Sequence, residues 1–155
     1  DEIAKAVVLA LFVPLIISSG GNSGSQAASL IIRAMALKEL QLRDWWYVMK
    51  KEFVSGLLLG GILGLLGFIR IVIWQEAGIY DYGPYWLWVA LSVSTSLLFI
   101  VLWGTLSGSL IPFLLRKMKL DPAAASAPFV ATLVDVTGLI IYFSVSALFL
   151  AGKLL

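Results

Sequence analysis

Asp135 is the residue with the most chemistry to offer. It sits near the middle of PFVATLVDVTGLIIYF, a run apolar enough to lie inside a bilayer. The other acidic residues fall at the terminus, in connections or at the ends of apolar runs. An ionised carboxylate at bilayer depth is costly unless something compensates it. No Lys, Arg or His shares the interior of that run. Compensation must therefore come from water, a bound cation, a second carboxyl or protonation. Helical spacing puts Pro128, Ala131, Asp135, Gly138 and Tyr142 on one small or polar face. Such a face suits an aqueous lumen or a close helix contact. The alternative is a neutral, protonated Asp135 hydrogen-bonded to a neighbouring helix.

A second polar stretch lies far from the first in sequence. In PLIISSGGNSGSQ, an apolar run passes into Gly20, Gly21 and Gly24 set among Ser18, Ser19, Asn22, Ser23, Ser25 and Gln26. Glycine in a helix interior costs about 1 kcal/mol against alanine, so the stretch predicts a broken helix. Non-helical backbone at membrane depth survives only when buried in protein or lining a watery cavity. Freed carbonyls facing a permeation path would follow. The plainer alternative is a surface turn, with Pro14 as a simple kink.

The ligands on offer are all oxygens: carboxylate, hydroxyl, amide and backbone carbonyl. The chain has no Cys and no His. Soft metals are disfavoured, and zinc sites, thiol chemistry and His-based catalysis are excluded within the chain. Oxygen sites suit Mg2+, Ca2+, Mn2+ or alkali ions. One carboxylate per chain is thin for a bare divalent ion. Mg2+ often keeps several waters and needs only one or two carboxylates. A hydrated Mg2+ between paired aspartates would fit a symmetric dimer. GGNSGSQ lacks the Lys of a phosphate-binding loop, and an intramembrane aspartyl protease would need a second membrane aspartate. No enzyme is expected.

The elements that carry these residues follow from composition. The chain is 61% hydrophobic and 13% charged over 155 residues, with a mean hydropathy of +1.00. That is too apolar for a soluble domain. The fold class expected is all-α: a polytopic membrane protein forming a single transmembrane domain, residues 1–155. Four spans are expected, about 3–18, 53–74, 86–115 and 123–150, with the broken segment after the first. Gly56, Gly60 and Gly64 in the second span repeat at four residues and read as a packing face. Gly104 and Gly108 offer another in the third, where Pro112 invites a kink. Ser92, Ser94, Thr95 and Ser96 read as hydroxyls bonded back to their helix, with a pore lining as the second reading. Asp121 and Pro122 read as the N-cap and first position of the last helix.

Charge gives an orientation. Lys38, Arg43, Lys50 and Lys51 lie in one connection, and Arg116, Lys117 and Lys119 in another, while residues 75–85 carry no Lys or Arg. The positive-inside rule puts the two basic connections in the cytoplasm and both chain ends outside. The chain opens on Asp1 rather than Met, which reads as a fragment. With a cytoplasmic native N-terminus, at least one helix is expected upstream. The net charge of +2 leaves no nucleic-acid footprint.

PLIISSGGNSGSQAASLIIRAMAL, then KKEFVSGLLLG, then LDPAAASAPFVATLVDVTG, in that order and spacing, resembles the MgtE family of magnesium channels over nearly the whole chain. The resemblance implies the transmembrane domain of a homodimeric Mg2+ channel in the cell inner membrane, surrounded by lipid. The family's first helix and its cytoplasmic N-terminal and CBS regulatory domains would be absent from this chain. By motif position, the resemblance places ion-site roles on the carboxylate of Asp135 and the carbonyl of Ala131. It adds oxygens at Ser18, Gly21 and Ser25, and the acid opening the second span, Glu52. For Glu52 a membrane-end charge beside Lys50 and Lys51 is the competing reading. The rival to a channel is a cation-coupled secondary transporter of divalent cations.

Overall fold

The structure, a computed structural model, describes residues 7–125 and 127–153. All regular structure among them is helical. The long helices are α1 (Val13–Ala36), α2 (Trp45–Glu76), α3 (Trp86–Lys117) and α4 (Ala127–Leu150), with short 3-10 turns at Leu42–Asp44 and Pro122–Ala124. Each long helix, α1 taken with the turn before it, is long and apolar enough to cross a membrane. At ~1.5 Å per residue, the 32 residues of α2 and of α3 reach about 48 Å. That exceeds a hydrocarbon core of ~30 Å, so their ends extend into the headgroup layers or the helices tilt. The expected first span began at residue 3; residues 3–6 lie outside the described residues. The second is longer than expected, because the interfacial aromatics Trp45, Trp46 and Tyr47 already belong to its helix.

The predicted break at Ser18–Gln26 is not there. The α-helix runs unbroken through SSGGNSGSQ to Ala36. The discontinuity lies earlier, in a turn at Leu11–Phe12 that follows a helical stretch at 7–10. Pro14 stands in the first turn of α1, where its missing N–H costs nothing. Packing explains why the glycines stay helical. Without Cβ atoms, Gly104 and Gly108 let α3 press onto the backbone of α1 at Gly20 and Gly24, and the bare Gly20 and Gly24 make room for Ile100 of α3 and Val130 and Val134 of α4. A Cβ on Gly104 would meet the Gly20 carbonyl at 2.7 Å, and one on Gly108 would collide with the Gly24 carbonyl. In a bilayer, moreover, an unwound segment must find new partners for every freed amide.

α3 is the axis of the bundle. It packs against α1, α2 and α4, and 56% of its most apolar stretch is buried, against 28–33% in the others. Val89, Val93, Leu97 and Ile100 of α3 meet Ile16 of α1, Ile71 of α2 and Tyr142 of α4 in the largest cluster. α3 continues as helix through the buried Pro112. Ser94 donates to the Leu91 carbonyl at 3.2 Å as expected. Ser92 instead reaches across to Ser146 Oγ of α4 at 3.0 Å.

α2 lies on α3 through the glycines read from sequence. A Cβ on Gly60 would sit 2.8 Å from the Leu98 carbonyl oxygen, and one on Gly64 2.7 Å from that of Ser94. Gly61 has open space around it. Gly→Ala in a helix normally stabilises by about 1 kcal/mol. Gly61→Ala is therefore expected to raise the melting temperature and Gly64→Ala to lower it. A thermal melt of the two variants in one detergent checks the opposite signs.

The connection after α2 is held by its own polar groups. Tyr82 N–H donates to Gln75 Oε1 at 2.8 Å, and Gly83 N–H to Asp81 Oδ1 at 2.8 Å. The Gly83 amide, with help from the Gln75 side chain, holds the Asp81 carboxyl below the usual carboxylate range. Before α4, Asp121 does act as a cap, accepting from Ala123 N–H at 2.9 Å. It caps the 3-10 turn rather than the long helix, which starts at Ala127.

Candidate cation site

The α1–α4 contact is where the two polar stretches meet. α4 buries Val130, Val134, Gly138, Tyr142, Ser146 and Leu150, a stripe at four-residue spacing. Along the face read from sequence, burial is graded: Gly138 and Tyr142 belong to the buried stripe, Ala131 and Asp135 sit half-buried beside it, and Pro128 is exposed. The buried end is anchored. Tyr142 donates its phenol to the Leu9 carbonyl at 2.7 Å. The Leu9 carbonyl also accepts from Phe12 N–H at 3.2 Å in the turn at Leu11–Phe12, so the phenol is its second donor and ties that turn to α4.

Asp135 points its carboxylate at the backbone of α1. A Cβ built on Gly21 would lie 2.7 Å from Asp135 Oδ1 and 3.7 Å from the Ala131 Cβ. Gly21 is thus the gap that admits the acid. One turn on, Ser25 Oγ donates to the Ala127 carbonyl at 3.0 Å, tying the start of α4 to α1. One turn back, exposed Ser18 accepts from Asn22 Nδ2 at 3.3 Å. Nearby hydroxyls on α4 turn to their own helix: Thr132 donates to the Pro128 carbonyl and Thr137 to that of Leu133. Neither of those bonds uses Asp135.

Of the six residues named from sequence, the structure brings Asp135, Ala131 and Gly21 together. Ser25 joins them through Ala127, and Ser18 extends the same α1 face. Glu52 stands apart on α2, its carbonyl 3.4 Å from Thr105 Oγ1 of α3. Among the described residues no three Asp, Glu, His or Cys side chains gather into a metal-holding cluster. A lone carboxylate suits a hard cation that keeps most of its own waters. Sequence reasoning missed the role of Gly20 and Gly24. Their four-residue spacing, matched by Gly104 and Gly108, was the available signal.

A sequence model of the MgtE family, described as divalent cation transporter, matches residues 13–145. The chain belongs to the MgtE family. Relatives fit that placement. The magnesium transporter MgtE of Thermus thermophilus is 47% identical over 151 residues, which is 97% of this chain and 31% of that protein. The magnesium transporter MgtE of Bacillus subtilis is 31% identical over 150 residues, with the same coverage. That of Enterococcus faecalis is 32% identical over 148 residues, 96% of this chain and 31% of its own length. This MgtE-family chain therefore spans about a third of each relative. Together with four long apolar helices, the match makes it part of a multi-pass membrane protein.

Proposed function

We propose that this chain is the ion-conducting transmembrane domain of a magnesium channel, passing hydrated Mg2+ as its substrate and performing no covalent chemistry. The observation that carries the reading is the approach of Asp135 and Ala131 to Gly21, which sets one carboxylate against the bare glycine backbone of α1 inside a bundle of apolar helices. Relatives named as magnesium transporters supply the ion. One acid per chain is half of what a divalent ion needs for neutrality, so two copies face each other across a symmetry axis with Asp135 paired near it. Ser18, Gly21 and Ser25 line the approach along α1. Glu52 serves at the mouth rather than beside Asp135, since α2 packs on α3. The basic ends of α1, α2 and α3 face the cytoplasm of a cell whose inner membrane holds the protein, and both chain ends lie outside.

Channel and carrier separate in proteoliposomes under voltage clamp. Mg2+ current that persists after H+ and Na+ gradients are collapsed is the expected result. Flux that stops when either gradient is removed would make the protein a coupled transporter.

A further inference from the structure

We propose that the groove between the start of α2 and the end of α3 is a binding site for an anionic glycerophospholipid. It is separate from the ion site. Its cavity of about 470 Å3 falls within the ~300–1,000 Å3 typical of small-molecule sites. Leu110, Phe113 and Leu114 of α3 form the apolar floor, with Leu42 and Trp45 closing one side. That lining takes an acyl chain. The two remaining wall residues are cations, Arg43 from the 3-10 turn before α2 and Lys117 from the last turn of α3.

Charge complementarity selects the occupant. Two cations from different connections converge on one apolar groove. The carboxylate next in sequence, Asp44, is turned back onto the Gln41 amide at 2.8 Å. A further cation at this end, Arg116, adds to the field. A guanidinium and an ammonium suit one phosphate, the Arg in bidentate fashion. The groove opens toward lipid: Leu114 is 48% and Trp45 46% exposed. An indole at the rim is at home at headgroup level. At the other end Arg70 lies over Trp74 at 4.3 Å and Lys153 over Trp88 at 4.0 Å. At the groove end Lys50 and Lys51 lie over Trp46 and Tyr47, both at 5.5 Å, and Arg43 and Lys117 have no such aromatic partner among the described residues. A net-negative headgroup fits this site better than a zwitterionic one, which brings its own cation to a basic surface.

Native mass spectrometry of the chain released from detergent tests this, with phosphatidylglycerol and phosphatidylcholine of identical acyl chains as probes. Wild type is expected to retain phosphatidylglycerol on the order of tenfold better, since each juxtamembrane cation adds measurably to anionic-lipid affinity. Arg43→Gln with Lys117→Gln is expected to lose that preference, and Arg70→Gln with Lys153→Gln to keep it. Leu114→Trp, which fills the groove and leaves both cations, is expected to lose retention as well. Equal retention of the two lipids by wild type would overturn the proposal, as would undiminished retention in Arg43→Gln/Lys117→Gln or in Leu114→Trp. Competition by glycerol 3-phosphate at equal concentration would reduce the site to a simple anion site. A change in the monomer–dimer ratio of the Arg43→Gln/Lys117→Gln protein, with lipid retention intact, would assign the groove to a second copy of the chain instead.

Discussion

Asp135→Asn is expected to cut Mg2+ flux by tenfold or more while leaving the fold intact. The substitution keeps shape and removes one negative charge. A divalent ion held about 5 Å from a carboxylate gains ~1.7 kcal/mol even at the dielectric constant of water, and more as the surroundings dry. At about 1.4 kcal/mol per decade, that alone exceeds tenfold. If two copies pair across an axis, the variant loses the interaction twice. The melting temperature should hold or rise, because an amide at bilayer depth costs less than a carboxylate. Flux in proteoliposomes and a melt in the same detergent check both halves. Normal flux in a normally folded variant would make Asp135 a packing residue.

Gly108→Ala is expected to be the most damaging single methyl in the bundle. A Cβ there runs into the backbone of Gly24, carbonyl and Cα alike. No rotamer change relieves a clash with backbone, so α1 and α3 must part. Overpacking of this kind costs about 1–3 kcal/mol or more. In a domain of this size each kcal/mol moves the melting temperature by about 2–4 °C, so a fall of up to about 12 °C is expected. The sign is the diagnostic, since helix propensity alone would raise stability. Ion binding should weaken too, although Asp135 is untouched, because α1 carries Gly21 to the carboxylate. A variant more stable than wild type would mean that α1 and α3 are not seated this closely.

Much of this was legible in the residues. Runs of apolar sequence located the helices to within a turn or two at most ends, and the Gly56–Gly60–Gly64 spacing announced its packing face. Asp135 was legible because nothing nearby could neutralise it. The helicity of SSGGNSGSQ was not. Propensity in water charges glycine for exposed, mobile backbone, whereas Gly20 and Gly24 are buried against Gly104 and Gly108. The signal lay in two segments read together, more than seventy positions apart, and a single-segment reading weighs neither against the other. How deeply each residue of the α4 face is buried was not legible either. A strict four-residue stripe drifts around a 3.6-residue helix, and the Tyr142–Leu9 bond fixes which side is buried. The grouping of Asp135, Ala131 and Gly21 joined two motifs that the sequence had singled out separately. The separation of Glu52 from them could not be read, because it depends on α2 docking on α3.

The most direct test is isothermal titration of Mg2+ into the purified protein, wild type beside Asp135→Asn. Binding heat in wild type that saturates at one ion per two chains, and is absent from the variant, is the expected result. Indistinguishable titrations of the two proteins would contradict the placement of the ion on Asp135.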